Sequence, residues 1–224
     1  MLKFWKKALS LIMVFALSMS VCMPAFAAES TGADNLNGVK IKLYDLYVKT
    51  NYDSSQVILE RKQTTNEVSV TVKDKQTGKT LNVFGEIIPD KSGMSLMSEG
   101  ITHREVYNDV VEGPTVSRLY ATVEVYYWDS FAQINKVIDM HWQARSSGNW
   151  YLEDKYTDSW MRKTPDTSVN FRGSAVVTVE TTKSTTGNFS IKYLEALGFD
   201  FTIGNGATYY GRKPISTEFG YSVM

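Results

Sequence analysis

The chain has 224 residues, one cysteine, and 24 lysines and arginines against 24 aspartates and glutamates. That charge balance excludes the basic footprint of a nucleic-acid binder, and a lone cysteine excludes a disulfide framework or a thiolate metal site. The length suits a single β domain with one core.

Residues 1–27 carry the pattern of a secretory signal peptide. Lys3, Lys6 and Lys7 precede the apolar run from Ala8 to Val21, and Ala25-Phe26-Ala27 puts small residues around a cleavage point. The run is shorter than the about 20 residues of a membrane span. A lipoprotein reading of Cys22 fails, because Val21 stands where a small residue is required. Cleavage after Ala27 leaves 197 residues, no cysteine and a net charge of −3. The expectation is a secreted, extracellular protein with no stable membrane anchor, and the composition suits a small bacterial β protein held together by its core alone.

Residues 28–38 are small and polar and read as a flexible lead-in to a β domain over 39–224. Val39, Ile41 and Leu43 alternate before a bend at Asp45, and Val57 to Arg61 reads as a short strand. A clear hairpin follows, with Val68, Val70 and Val72 alternating, a turn over 74–79, and a return from Leu81 to Ile88. Pro89 to Gly100 reads as a loop with Met94, Leu96 and Met97 against the core, and Ile101 to Val111 as a further strand.

Val116 to Trp160 reads as three consecutive antiparallel strands and holds four of the five tryptophans. Leu119, Ala121, Val123 and Val125 alternate with Arg118, Tyr120, Thr122 and Glu124, the period of a strand with one buried face. A two-residue turn at Asp129-Ser130 places Val125 opposite Ile134, Ala121 opposite Ile138 and Leu119 opposite Met140, so the inward sets coincide. Lys136 is a misfit in that inward set. The third segment buries Trp150, Leu152 and Tyr156, with Asp154 as a misfit, and the Ser147-Gly148-Asn149 loop is read as joining it to the same sheet.

Beyond the Thr164-Pro165-Asp166 break, Ser174 to Thr182 reads as a strand that pairs, through a turn over 184–187, with Phe189 onward. Ser190 to Leu197, bounded by Ser190 and Gly198, is the one helical candidate. The glycine-spaced tail to Met224 must be made of short, turn-rich strands. About ten short strands and at most one short helix predict an antiparallel β-sandwich, with a partly closed barrel as the alternative.

No catalytic motif stands out. His103 and His141 lack metal-ligand spacing. Gly93-Met94-Ser95-Leu96-Met97 lacks the second glycine of a nucleophile elbow. Glu124, Asp139, Glu153 and Asp154 are the carboxylates a glycoside hydrolase could draw on, without a spacing that selects a pair. No cofactor or metal is expected, and the chain reads as non-enzymatic. The outer face of the central strands is more informative, because Arg118, Tyr120, Tyr126, Trp128, His141, Tyr151 and Lys155 make it too aromatic for an ordinary wet surface. A covering layer, such as the 185–224 tail, would make it a second core. Left open, it would bind a ligand such as cell-wall glycan. Two further readings stand beside this one: a secreted carboxylate-dependent hydrolase, and a secreted antimicrobial or pore-forming protein built on the Ser/Thr-rich alternation of Val169–Ile191.

Overall fold

The structure, a computed structural model, describes residues 38–89, 100–183, 187–204 and 206–223. The leader, nearly all of the lead-in, the Met94–Met97 segment and residues 184–186 of the 184–187 turn lie outside the described residues.

Among the described residues there are twelve strands and one short helix. The first six strands are β1 (Lys40–Lys42), β2 (Tyr47–Lys49), β3 (Val57–Gln63), β4 (Glu67–Asp74), β5 (Thr80–Ile87) and β6 (Gly100–Glu112). Next come β7 (Thr115–Trp128), β8 (Phe131–Ala144), β9 (Trp150–Trp160) and β10 (Ser168–Thr182). Helix α1 (Ile191–Ala196), β11 (Asp200–Ile203) and β12 (Thr208–Ser222) close the chain. The strands form two antiparallel sheets. Sheet A has the order β1-β2-β12-β10-β9, with β11 beside β2 on the same edge of β12, and sheet B runs β3 to β8 in chain order. The fold is the expected sandwich, open at its edges and not a barrel.

Alternation builds the core. Val68, Val70 and Val72 of β4, and Leu119, Ala121, Val123 and Val125 of β7, face inward from sheet B. Val169, Phe171, Ala175, Val177 and Val179 of β10 face them from sheet A. Each such valine or leucine contributes about 1.5–3 kcal/mol by leaving water. Phe84, Phe171, Phe219 and Tyr221 interlock across the gap with ring centroids 5.5–5.9 Å apart. The Tyr221 hydroxyl crosses to sheet B and donates to the Gly85 and Tyr107 carbonyls at 3.0 and 3.3 Å. Gly173 leaves the space into which Leu119 and Trp142 fit, since a Cβ there would come within 2.9 Å of both.

The three-strand reading of 116–160 needs correction. β7 and β8 form the expected hairpin on Asp129-Ser130, but β9 leaves the sheet and pairs with β10 in sheet A. Residues 145–149 carry the chain over the edge of the sandwich. Trp142 and Trp150 still point into the same core from opposite sides, with Trp142 Nε1 donating to the Tyr156 carbonyl at 3.1 Å. Matching parity of buried positions is therefore satisfied equally by a hairpin partner and by a strand that crosses over.

The register also differs along β8. Val125 does face Ile134, but bulges at Asn135 and Ile138 shift the pairing by two residues, so Ala121 faces Met140 and Leu119 faces Trp142. Between the bulges the pleat is inverted: Val137 packs on the core and Ile138 is 47% exposed. The outward turn of Lys136 explains the misfit, because the bulge at Asn135 rotates it into water. Asp154 has a similar explanation. It takes a left-handed conformation (φ 48°) in a β9 bulge and turns Tyr156 outward, so that Tyr156 is exposed and not buried as expected.

The tail does not cover the face of β7. β12 is a central strand of sheet A, paired with β10 over its whole length. β10 itself is longer than expected, and its partners are β9 and β12. The segment from Phe189 leads into α1 instead of pairing back. The apolar positions of β10 are thereby buried between the sheets.

Candidate functional site

The outer face of sheet B grades from a wet end to a sealed end. At the wet end Tyr126 and Trp128 point outward, alternating with the core-facing Val125 and Tyr127. Phe131 lies directly across from Trp128, and Ile101 directly across from Tyr126. Directly opposed residues share a face with Cβ atoms about 5 Å apart, so these four side chains make one patch. Trp128 is 60% exposed, Phe131 48% and Ile101 62%. No other described element covers them.

A polar belt borders the patch. Gln133 Nε2 donates to Asn135 Oδ1 at 2.9 Å, and Asn135 Nδ2 donates to Glu124 Oε1 at 3.0 Å. The other Glu124 oxygen lies 3.3 Å from Lys136 Nζ and 4.0 Å from His103 Nε2. The bulge makes this belt possible by turning Asn135 and Lys136 to the outside together. The Asn135 hydrogen bond holds the Glu124 carboxyl below its ordinary range, with help from Lys136.

Further along, Tyr120 and His141 are direct neighbours with ring centroids 5.3 Å apart, and His141 Nδ1 lies 2.7 Å from Asp139 Oδ2. Partial burial and a hydrogen bond to Glu105 raise the Tyr120 hydroxyl pKa well above its ordinary value. Arg118 marks the sealed end. It is only 8% exposed, grips Asp109 with two hydrogen bonds of 2.6 and 2.9 Å, and lies on the Tyr107 ring. It is a packed internal ion pair, with no free face for an anion.

Of the seven sequence candidates, Tyr120, Tyr126, Trp128 and His141 share this face, and Arg118 is buried at its closed end. Arg118 stands opposite Gln143, and His141 stands opposite Tyr120. Tyr151 and Lys155 belong to sheet A, where Tyr151 lies beside Thr178. The candidate carboxylates are likewise dispersed. Glu124 and Asp139 lie on sheet B. Glu153 accepts from Thr178 Oγ1 and Arg212 on sheet A, and Asp154 is exposed in its bulge. Among the described residues no three or more of His, Cys, Asp and Glu are placed to hold a metal ion.

Ile101 and Phe131 were missed in the sequence. Phe131 was legible in principle, because the Asp129-Ser130 turn puts it opposite Trp128. Ile101 was hidden as the ordinary first residue of a strand.

The patch combines flat apolar rings, hydrogen-bonding amides and little surplus charge on rigid strands, which suits a neutral, polyhydroxylated ligand better than an ionic one. No protein-family model, no curated protein and no solved structure matches the chain.

Proposed function

We propose that this protein is a secreted, non-catalytic glycan-binding module. Its binding surface is the wet end of the outer face of sheet B: Ile101, Tyr126, Trp128 and Phe131, bordered by Gln133 and Asn135. The observation that carries this reading is the open pair Trp128 and Phe131 at the tip of the β7–β8 hairpin. Contiguous exposed apolar side chains on a rigid scaffold mark interaction sites, and the C–H faces of a sugar ring stack on an aromatic face. The amides of Gln133 and Asn135, beside the patch, are of the hydrogen-bonding type that sugar hydroxyls pair with. Secretion rests on the leader pattern of residues 1–27.

The magnitudes favour a polymer. Covering about 100 Å² of each of two rings is worth about 5 kcal/mol at about 25 cal/mol per Å², before ordering costs are subtracted. One such contact is weak, and a repeating polysaccharide compensates by offering many equivalent sites. The test is depletion from solution by insoluble cell-wall polysaccharide. Wild type is expected to sediment with the polymer, and Trp128→Ala and Phe131→Ala to stay in the supernatant while still folded. Retention of both variants at the wild-type level would reject this surface.

A further inference from the structure

A second feature lies between the sheets. Thr50–Tyr52 after β2, the start of β5, the end of β6 and residues 216–218 of β12 line a half-open cavity of about 350 Å³. We propose that this cavity binds a single neutral sugar ring, either a free monosaccharide or the end residue of a chain. The inference takes its ligand class from the glycan-binding reading and its site from separate residues.

Three properties of the lining point to that ligand. First, its hydrogen-bonding groups are held in one orientation. The Tyr52 hydroxyl donates to Asn82 Oδ1, Asn82 Nδ2 donates to Asn108 Oδ1 at 2.9 Å, and Asn108 Nδ2 donates to Thr217 Oγ1 at 2.6 Å. This relay runs from sheet B to sheet A through Asn108, which has no exposure to water. It fixes both amides, and it leaves the Thr217 hydroxyl hydrogen and the second Asn82 amide hydrogen to donate elsewhere. Both of these residues line the cavity.

Second, the charges are offset. Glu112 Oε2 receives Lys213 Nζ at 2.6 Å, and the other charged lining residues, Lys79 and Glu218, have opposite signs. An ionic ligand would find no excess charge to meet it.

Third, Phe84, Leu81 and Val110 supply apolar lining beside the polar groups. The volume stands near the lower limit of about 300 Å³ for small-molecule pockets, which admits one ring and not a long ligand. A pyranose presents both kinds of surface, hydroxyls around its rim and C–H groups on its faces. Binding fixed donors and acceptors in this way costs little reorganisation.

The experiment is a titration of the purified protein with glucose, galactose and N-acetylglucosamine, followed by backbone-amide NMR. At least one sugar should shift the amides of Asn82, Glu112 and Thr217 saturably, with a millimolar dissociation constant. Thr80→Trp, which adds bulk at a lining residue outside the relay, and Thr217→Val, which removes the hydroxyl, should each weaken binding by about tenfold or more. If Thr217→Val does not fold, Thr80→Trp alone decides. The methyl glycoside of the same sugar separates the two sources: equal binding assigns the cavity to chain ends, and lost binding assigns it to the free sugar. Absence of saturable shifts at these amides, or wild-type affinity in Thr80→Trp, would overturn the proposal. Trp128→Ala serves as the divider. It should leave monosaccharide binding intact and abolish retention on polysaccharide, so either site can fail without the other.

Discussion

The Arg118 guanidinium lies 3.4 Å from the centroid of the Tyr107 ring, clamped there by Asp109. The Tyr107 hydroxyl donates to Glu67 at 2.6 Å, so the ring is pinned at both ends across β4, β5, β6 and β7. An outward-facing tyrosine is thus sealed by a neighbouring ion pair without any third layer of structure. Arg118→Ala leaves the Asp109 carboxylate buried and uncompensated and should cost about 3–5 kcal/mol in urea unfolding. Arg118→Lys should recover little of this, because an ammonium reproduces neither the two-pronged grip nor the flat stack.

The same ring constrains Gly85. A Cβ at that position would overlap the Tyr107 ring, which lies flat over the bare backbone of β5. Gly85→Ala should cost about 1–3 kcal/mol by overpacking. In a Tyr107→Ala background that cost should vanish, and a double-mutant cycle in urea measures the coupling.

The fold was legible in the sequence wherever one face of a strand is dry, because period-two alternation fixes both the strand and its inward side. That holds for β4, β7 and the first half of β8. Three features escaped this logic. The bulges at Asn135, Ile138 and Asp154 each insert a residue and invert the pleat, and their only traces were polar residues such as Lys136 and Asp154 at apolar positions. The crossing of β9 to the opposite sheet preserves parity and leaves no trace in periodicity. The inward-facing polar groups Glu86, Arg104 and Asn108 look like ordinary strand polarity until their partners from other elements are known. The candidate site was half legible: Trp128 and Tyr126 stood out as aromatics on the outward parity, whereas the cavity depends on Thr217 and Asn82, which are 135 positions apart.

The bulged register makes a direct prediction. Ile134 is fully buried and Ile138 is exposed, although a regular hairpin would bury both. Ile134→Ala should cost about 2–5 kcal/mol, and Ile138→Ala less than about 1 kcal/mol. Equal losses in thermal or urea melts would argue for the unbulged pairing.

Glu86 should make stability depend on pH. Its carboxyl is buried on the inner face of sheet B, accepts the Tyr44 N–H at 2.9 Å, and lies 3.7 Å from Arg104, which also pairs with Asp45 at 2.9 Å. Burial pushes its pKa from the ordinary 4.5 up to about 7, against the opposing pull of Arg104 and the backbone N–H groups. Between those values the folded protein keeps a proton that the unfolded chain has released. Stability from this group is therefore complete below pH 4.5 and declines as pH rises to about 7, a loss of about 3 kcal/mol. The difference in urea unfolding free energy between wild type and Glu86→Gln should follow this slope across the window. A difference that does not change with pH would show that Glu86 is ionised in the folded state.

The most direct test of the binding surface compares the two outer faces of the sandwich. Trp128 on sheet B and Tyr156 on sheet A are both exposed aromatics, at 60% and 50%, and neither supports the core. Retention of Trp128→Ala and Tyr156→Ala on insoluble cell-wall polysaccharide should therefore differ. The account predicts that Trp128→Ala loses retention with an unchanged melting temperature while Tyr156→Ala binds as wild type does. Equal retention of the two variants, or loss confined to Tyr156→Ala, would contradict it.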